Sequence, residues 1–342
     1  MSGVWIEAGV KVAVLMGLLL TGAAYLTWVE RKVSGFIQAR IGPNRVGPLG
    51  LLQPLADGLK GFFKEDITPK YAYRPLFLLA PALAFVPSLA VFAVIPFGDR
   101  LPILGRVISL RVADPNIGIL FVFALASMQV YGVAFAGWSS NNKYALMGGL
   151  RASAQMISYE LAMGFSVVGV LMITGSLRLS EIVFHQQGLF HWNLFIQPIG
   201  FVIFLVAGFA EANRLPFDLP EAETELVAGY HTEYSSMKFA MFPLSEYFHM
   251  MAISALTVIL FFGGWQVPGL RAAGLAPLAV SILELAAMGL KMGFFLFLFI
   301  WVRWTLPRFR YDHLMTMGWK ILLPLSLVNV FWSGIGILMG WF

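Results

Sequence analysis

The segment Pro75-Leu76-Phe77-Leu78-Leu79-Ala80-Pro81-Ala82-Leu83-Ala84-Phe85-Val86-Pro87-Ser88-Leu89-Ala90-Val91-Phe92-Ala93-Val94-Ile95-Pro96 holds no charged side chain and one hydroxyl, Ser88. Its apolar positions are continuous. They do not alternate, and they leave no polar helical stripe. A helix needs about 20 such residues to cross a hydrocarbon core of about 30 Å. A spanning strand would be about half as long and would alternate. Lipid offers no partner to a free backbone N–H or C=O, so helices and closed barrels are the only spanning forms. The run therefore reads as a transmembrane helix.

The rest of the chain repeats that reading. Of 342 residues, 59% are hydrophobic and 12% charged, with a mean hydropathy of +0.79. Soluble domains run near 45–50% apolar and about 25% charged. The expected fold is an all-α polytopic bundle and a single integral membrane domain. Spans are expected near 4–28, 75–96, 116–137, 155–174, 194–213, 239–262, 281–302 and 319–341, with Ala276–Leu283 a place for a ninth short helix. The first run is too long for a cleaved signal peptide and ends in Glu30-Arg31-Lys32, so it is read as a retained span. No internal repeat of the kind common in secondary transporters is visible.

Basic residues orient the bundle. With the N-terminus outward, the inner connections carry sixteen Lys and Arg. The outer ones carry five: Arg100, Arg106, Arg111, Arg178 and Arg271. Topology thus accounts for the net charge of +5 without a nucleic-acid-binding face. Cysteine is absent, which removes thiolate-held iron–sulfur clusters, and the histidines suggest no facing haem pair. Gly42-Pro43 and Gly47-Pro48 read as turns whose spacing suits neither a dinucleotide fingerprint nor a P-loop, so the chain is not expected to bind NADH itself. No metal site is expected.

Two inner connections, 29–74 and 211–238, are far longer than a helix hairpin requires. They are rich in Leu, Phe and Tyr, and are expected to fold over the cytoplasmic side and dock a partner. The first runs Glu30-Arg31-Lys32-Val33-Ser34-Gly35-Phe36-Ile37-Gln38-Ala39-Arg40-Ile41-Gly42-Pro43-Asn44-Arg45-Val46-Gly47-Pro48, then Gly50-Leu51-Leu52-Gln53-Pro54-Leu55-Ala56-Asp57-Gly58-Leu59-Lys60. The second runs Glu211-Ala212-Asn213-Arg214-Leu215-Pro216-Phe217-Asp218-Leu219-Pro220-Glu221-Ala222-Glu223-Thr224-Glu225-Leu226-Val227-Ala228-Gly229-Tyr230.

Both closely resemble the signatures of the H subunits of bacterial respiratory complex I, the proton-translocating NADH:quinone oxidoreductase, counterparts of a mitochondrially encoded subunit. The likeness continues through Tyr159-Glu160, from Glu233-Tyr234 to Glu246-Tyr247, and to Pro307-Arg308-Phe309-Arg310-Tyr311-Asp312. The resemblance implies the membrane part of a quinone tunnel at the junction with a peripheral arm. It implies no oxidoreductase activity in the chain alone. NADH, FMN and iron–sulfur clusters would sit in partner subunits: the peripheral quinone-site subunit, the terminal-cluster subunit and their neighbours. Small membrane subunits would flank the chain. The implied location is the bacterial inner membrane, or the mitochondrial one if organellar. The membrane subunit of an energy-converting hydrogenase is the related alternative, and a stand-alone transporter the unrelated one.

Glu160, Glu211 and Glu246 lie at or inside spans. Ionisable groups there are expensive and normally face a cavity or a partner, and a buried carboxyl can relay protons. The competing reading is an inert, hydrogen-bonded carboxylate at a helix end. Glu221, Glu223 and Glu225 share one side if extended, whereas a helix puts Glu221 and Glu225 together. Pro220 followed by acids is also an ordinary helix start. Acids this close titrate as a group. The resemblance places all six on a proton path. It also places Arg31, Asp57 and Lys60 at the quinone tunnel, Asp57 and Lys60 being spaced to pair on a helix. Phe36, with Phe62 and Phe63, either lines the tunnel's apolar mouth or is core. Lys143, Arg151, Lys291 and Arg303 are the remaining basic candidates. Lys291 falls inside a span, with Glu284 on roughly the same face as a possible partner and snorkelling as the alternative.

Overall fold

The computed structural model describes residues 2–103, 106–218 and 227–341. Among the described residues, seven helices are long and apolar enough to cross a membrane, and an eighth apolar helix is shorter. They are α1 (Ser2–Ile37), α3 (Arg74–Ala90), α4 (Gly118–Ser139), α5 (Lys143–Thr174), α7 (Pro198–Glu211), α8 (Ser236–Phe261), α9 (Pro277–Thr305) and α11 (Leu323–Leu338). Between them lie α2 (Gln53–Phe63), α6 (Leu179–His185) and α10 (Tyr311–Thr316). A small antiparallel hairpin, β1 (Arg100–Ile103) with β2 (Arg106–Ser109), lies in the connection between α3 and α4, pairing Leu101 with Ile108.

The differences from the expected spans have local causes. Helix α1 runs past 28 to Ile37 because Glu30 is buried and paired rather than left at a solvated end. Helix α5 starts at Lys143 rather than 155. Asn142 caps it, its side chain accepting from the Tyr144 N–H at 2.9 Å, and Gly148, Gly149 and Ala152 keep its first turns thin enough to pack. The fifth span is broken: a single turn, Asn193–Ile196, precedes α7, because Pro198 offers no N–H to continue the ladder. The segment 276–283 forms no separate helix; it belongs to α9, which Pro277 starts. A π-helical stretch, Met317–Leu322, joins α10 to α11 just before Pro324, where the ladder must rearrange.

Helix α8 is the core span, with 89% of its apolar window buried, against 11% for α1 and 22% for α9. α5 packs against α4, α7 and α11, and α3 lies between α4 and α8. The α3–α4 approach requires glycine. A Cβ on Gly132 would sit 2.7 Å from the Ala84 backbone nitrogen. Polar contacts hold apolar spans together where lipid gives no hydrophobic drive: Gln197 Nε2 on the approach to α7 donates to Ser333 Oγ on α11 at 2.6 Å.

Candidate carboxylate site between the long connections and the core

The first long connection is ordered by α2, whose Leu55, Leu59, Phe62 and Phe63 are exposed, as is Phe36 at the end of α1. Arg31 Nη1 of α1 reaches Asp57 Oδ2 of α2 at 2.5 Å, and Gln53 Nε2 donates to Asp57 Oδ1 at 2.9 Å. The expected Asp57–Lys60 pairing is not the one formed: Arg31 arrives from the neighbouring helix, and Lys60 is exposed. The connection is tied to α8 by Lys238–Asp66 at 2.9 Å and by Ser236 Oγ donating to the Gly61 carbonyl at 2.9 Å.

The second connection is pinned from α5. Gln155 Nε2 donates to the carbonyls of Ala210 and Phe217 at 2.8 and 2.7 Å. Asp218 meets Arg308 at 3.4 Å, and Phe217 lies between the rings of Tyr159 and Phe309. The described chain resumes beside Gly148, where a Cβ would come within 2.7 Å of the Gly229 Cα. Glu221, Glu223 and Glu225 lie outside the described residues.

These contacts bury two of the expected acids, Glu211 and Glu246, and half-bury a third, Glu160. Glu211, at the end of α7, is buried, and its Oε2 has no hydrogen-bond partner. Glu160 on α5 accepts a short hydrogen bond from Ser127 Oγ on α4 and is near enough to Glu211 for their charges to interact. Glu246 on α8 is buried and accepts from Tyr230 O–H at 3.5 Å. A cavity of about 20 Å³ lies against Glu211, lined also by Ser88 and His249. His249 Nε2, buried, is likewise without a partner.

Beside this group lies an ion cluster that sequence reasoning misses. Glu30 of α1 is held by Arg303 of α9, by Arg214 at 3.2 Å, and by Tyr247 of α8, whose O–H donates to Glu30 Oε2 at 2.6 Å. The Arg214 guanidinium also lies over the Tyr247 ring, 4.2 Å from its centroid. Burial alone would lower the Arg214 pKa. Glu30, Tyr247 and Glu246 raise it by more, so the guanidinium stays charged. Arg303 thus has a defined partner. One signal for the cluster exists in the sequence: Glu30 sits a single position inside the basic pair Arg31-Lys32, where an acid weakens an anchor and therefore needs another reason to be there.

The other basic candidates lie apart. Lys143 is exposed at the start of α5 rather than buried, and Arg151, half-buried, lies over the Tyr311 ring. Lys291 Nζ donates to the carbonyls of Phe262, Gly264 and Gln266 at 2.8, 2.9 and 2.9 Å. It therefore caps the end of α8. Glu284 is not its partner, being taken by Arg271 at 2.7 Å. A larger cavity, about 370 Å³, opens at that end and is lined by Trp192, Gln266, Arg271 and Glu284, far along α8 from the acids. Among the described residues, no group of three or more His, Asp or Glu could hold a metal ion.

The sequence matches the NADH dehydrogenase family over residues 10–334. It is 51% identical over 334 residues to an NADH-quinone oxidoreductase H subunit of Cytophaga hutchinsonii, covering 98% of this chain and 97% of that one. It is 53% identical over 325 residues to one of Rhizobium meliloti, covering 95% of each. It is 49% identical over 336 residues to that of Flavobacterium psychrophilum, covering 98% of each. Agreement of about one residue in two along nearly the entire length, together with the family match, establishes that the chain belongs to the family of NADH-quinone oxidoreductase H subunits.

Proposed function

We propose that this chain is a membrane subunit of a proton-pumping NADH:quinone oxidoreductase, that it forms the membrane part of the quinone tunnel, and that it couples quinone reduction to proton movement through buried carboxylates. The N-terminus faces outward, and the long connections face the peripheral arm in the cytoplasm. The observation that carries the reading is Glu211: a carboxylate wholly inside the bundle, with one oxygen unpartnered and a second acid, Glu160, in electrostatic range. A structural carboxylate would be fully hydrogen-bonded, as Glu30 is.

Quinone enters past the exposed apolar face of Phe36, Leu55, Leu59, Phe62 and Phe63, a grouping that suits an isoprenoid tail. Arg31, Asp57 and Lys60 stand beside it. The electron donor, NADH, FMN and the iron–sulfur clusters belong to partner subunits. Reduction of quinone draws protons and changes the local charge. The acids at Glu221, Glu223 and Glu225 take up that change first, and Glu211, Glu160 and Glu246 pass it into the membrane. Each transfer needs a carboxyl able to gain and lose a proton, for which glutamine is a near-isosteric block.

The test is Glu211→Gln and Glu246→Gln in the assembled complex reconstituted in vesicles, with quinone reduction and proton release followed separately. Proton release per electron is expected to fall at least tenfold while the complex still assembles. Wild-type reduction and wild-type release in both variants would defeat the proposal.

A further inference from the structure

The proposed proton path uses Glu211 but leaves unexplained the group opposite it. His249 lies in α8, the most buried helix of the bundle, and its Nε2 finds no partner. Glu211 Oε2 is in the same position. Both side chains line one small cavity, as does Ser88. A buried acceptor or donor without a partner costs about 1–3 kcal/mol, and a fold seldom carries two against one void without a use for them.

The void has the size for that use. A cavity needs roughly 10–15 Å³ to hold a water, and the water needs two to four polar partners. This one offers about 20 Å³. Around it stand the Glu211 carboxyl, the His249 imidazole and Ser88 Oγ, which donates to the Phe85 carbonyl at 2.7 Å and keeps its lone pairs free to accept. The remaining lining, among it Val122, Ala126 and Met163, is apolar and leaves the water no other partner.

We infer that this cavity binds a single water bridging Glu211 and His249, and that His249 is a further proton-carrying residue on the carboxylate path. The inference rests on the proposed role of Glu211. The transfer is balanced: the Glu211 carboxyl gives its proton to the water oxygen as the water gives one of its own to His249 Nε2. A carboxylic acid and a neutral imidazole become a carboxylate and an imidazolium, the water is unchanged, and no oxidant or reductant is needed. The two charges form side by side, which offsets part of their desolvation. The step carries the proton from α7 to α8. There Glu246 stands three residues before His249, on the same helical face. His249 thereby joins two acids that belong to different helices.

The experiment uses the intact complex in vesicles, with quinone reduction and proton release measured separately. His249→Leu removes the carrier, and Ala126→Val fills the cavity while leaving every titratable group in place. Both are expected to assemble and to lower the rate of proton release at least tenfold. In both, the redox-induced infrared band of the protonated Glu211 carboxyl should shift, a signature that a packing defect elsewhere would not move. Restoring a polar terminus with His249→Gln should bring back the band position, because the water is held again, without bringing back the rate. If either His249→Leu or Ala126→Val releases protons at the wild-type rate, the relay is wrong. If Glu211→Gln also releases protons normally, the proposed role of Glu211 is wrong as well; if Glu211→Gln is blocked, only the relay falls.

Discussion

Replacing Arg214 by methionine isolates what burial does to an ion pair. Arg214 is 4% exposed and Glu30 also 4%, and the pair closes at 3.2 Å. Removing one member of a buried pair leaves the other charge uncompensated and typically costs about 3–5 kcal/mol. Here Arg303 and the Tyr247 hydroxyl still hold Glu30, which places the cost near the lower figure, about 3 kcal/mol. The lost stacking on Tyr247, at 4.2 Å, adds about 1–2 kcal/mol in a desolvated setting. About 4 kcal/mol is close to a thousandfold in an equilibrium constant. The contrast is Arg31→Met. Its pair with Asp57 is shorter, 2.5 Å, yet Arg31 is 51% exposed, and exposed pairs are worth about 0–1 kcal/mol. The assay is the yield of assembled complex and its disassembly midpoint on heating in detergent. Arg214→Met should lower both sharply, and Arg31→Met should leave both near wild type. The double variant Glu30→Met/Arg214→Met leaves Arg303 without its partner, yet it should lose less than the sum of the two single variants, since Glu30 and Arg214 share one contact. Equal stability of the two single variants, or a double variant as damaged as the sum of its parts, would refute the reasoning.

Other perturbations have defined outcomes. Lys291→Met strips a charged donor from three carbonyls at the end of α8, where one hydrogen bond to a charged group is worth about 1.5–3 kcal/mol; the disassembly midpoint should fall while quinone affinity is unchanged. Gly148→Val should abolish assembly, because its side chain would meet the Gly229 and Tyr230 backbone under 3 Å away. Asp57→Asn should raise the KM for quinone several-fold at near-normal complex yield, and a normal KM would remove the Arg31–Asp57 pair from the proposed tunnel. Burial raises the Tyr234 pKa to about 12 from an ordinary 10.0. Its folded form keeps the proton longer than the unfolded one, so the stabilisation is intact below pH 10 and drains away as pH rises toward 12, by at most about 2.7 kcal/mol. Tyr234→Phe keeps the ring stacked on Phe77, 4.1 Å away, and should flatten that alkaline loss in the disassembly midpoint.

What the sequence conveys about this fold follows from which interactions are one-dimensional. The run 75–96 has no use but to span, and α3 occupies most of it. The start of α5 is hidden because Ser139, Asn141, Asn142, Lys143 and Arg151 look like a polar connection, whereas Asn142 is a cap, Ala145 and Gly149 pack on Gly137 of α4, and Gly148 packs on Gly229. Lys291 draws attention as a costly mid-span charge. Its partners are backbone carbonyls, which every residue carries, so no side-chain pattern could announce them. The Glu30 cluster draws on positions 30, 214, 247 and 303, and only the packing of α1, α8 and α9 brings them together. Glu160, Glu211 and Glu246 are legible for the opposite reason: an acid in an apolar run is anomalous wherever its partner lies.

Two buried acids near helix ends, Glu30 and Glu211, show how differently the same group can be held. Glu30 is surrounded by two guanidinium groups and a phenol, so its charge is matched in place and protonating it would break several contacts at once. Such a carboxylate resists change. Glu211 has the same chemistry and similar burial, but its Oε2 has no hydrogen-bond partner and its side chain lines a void instead. Arg214 lies three residues after Glu211 and is also within electrostatic reach of Glu246. A cation so firmly held by Glu30 contributes to the field at Glu246 without donating a proton itself. On the proposed path, neutralising Glu30 should therefore alter proton release through Glu246 even where the complex still assembles.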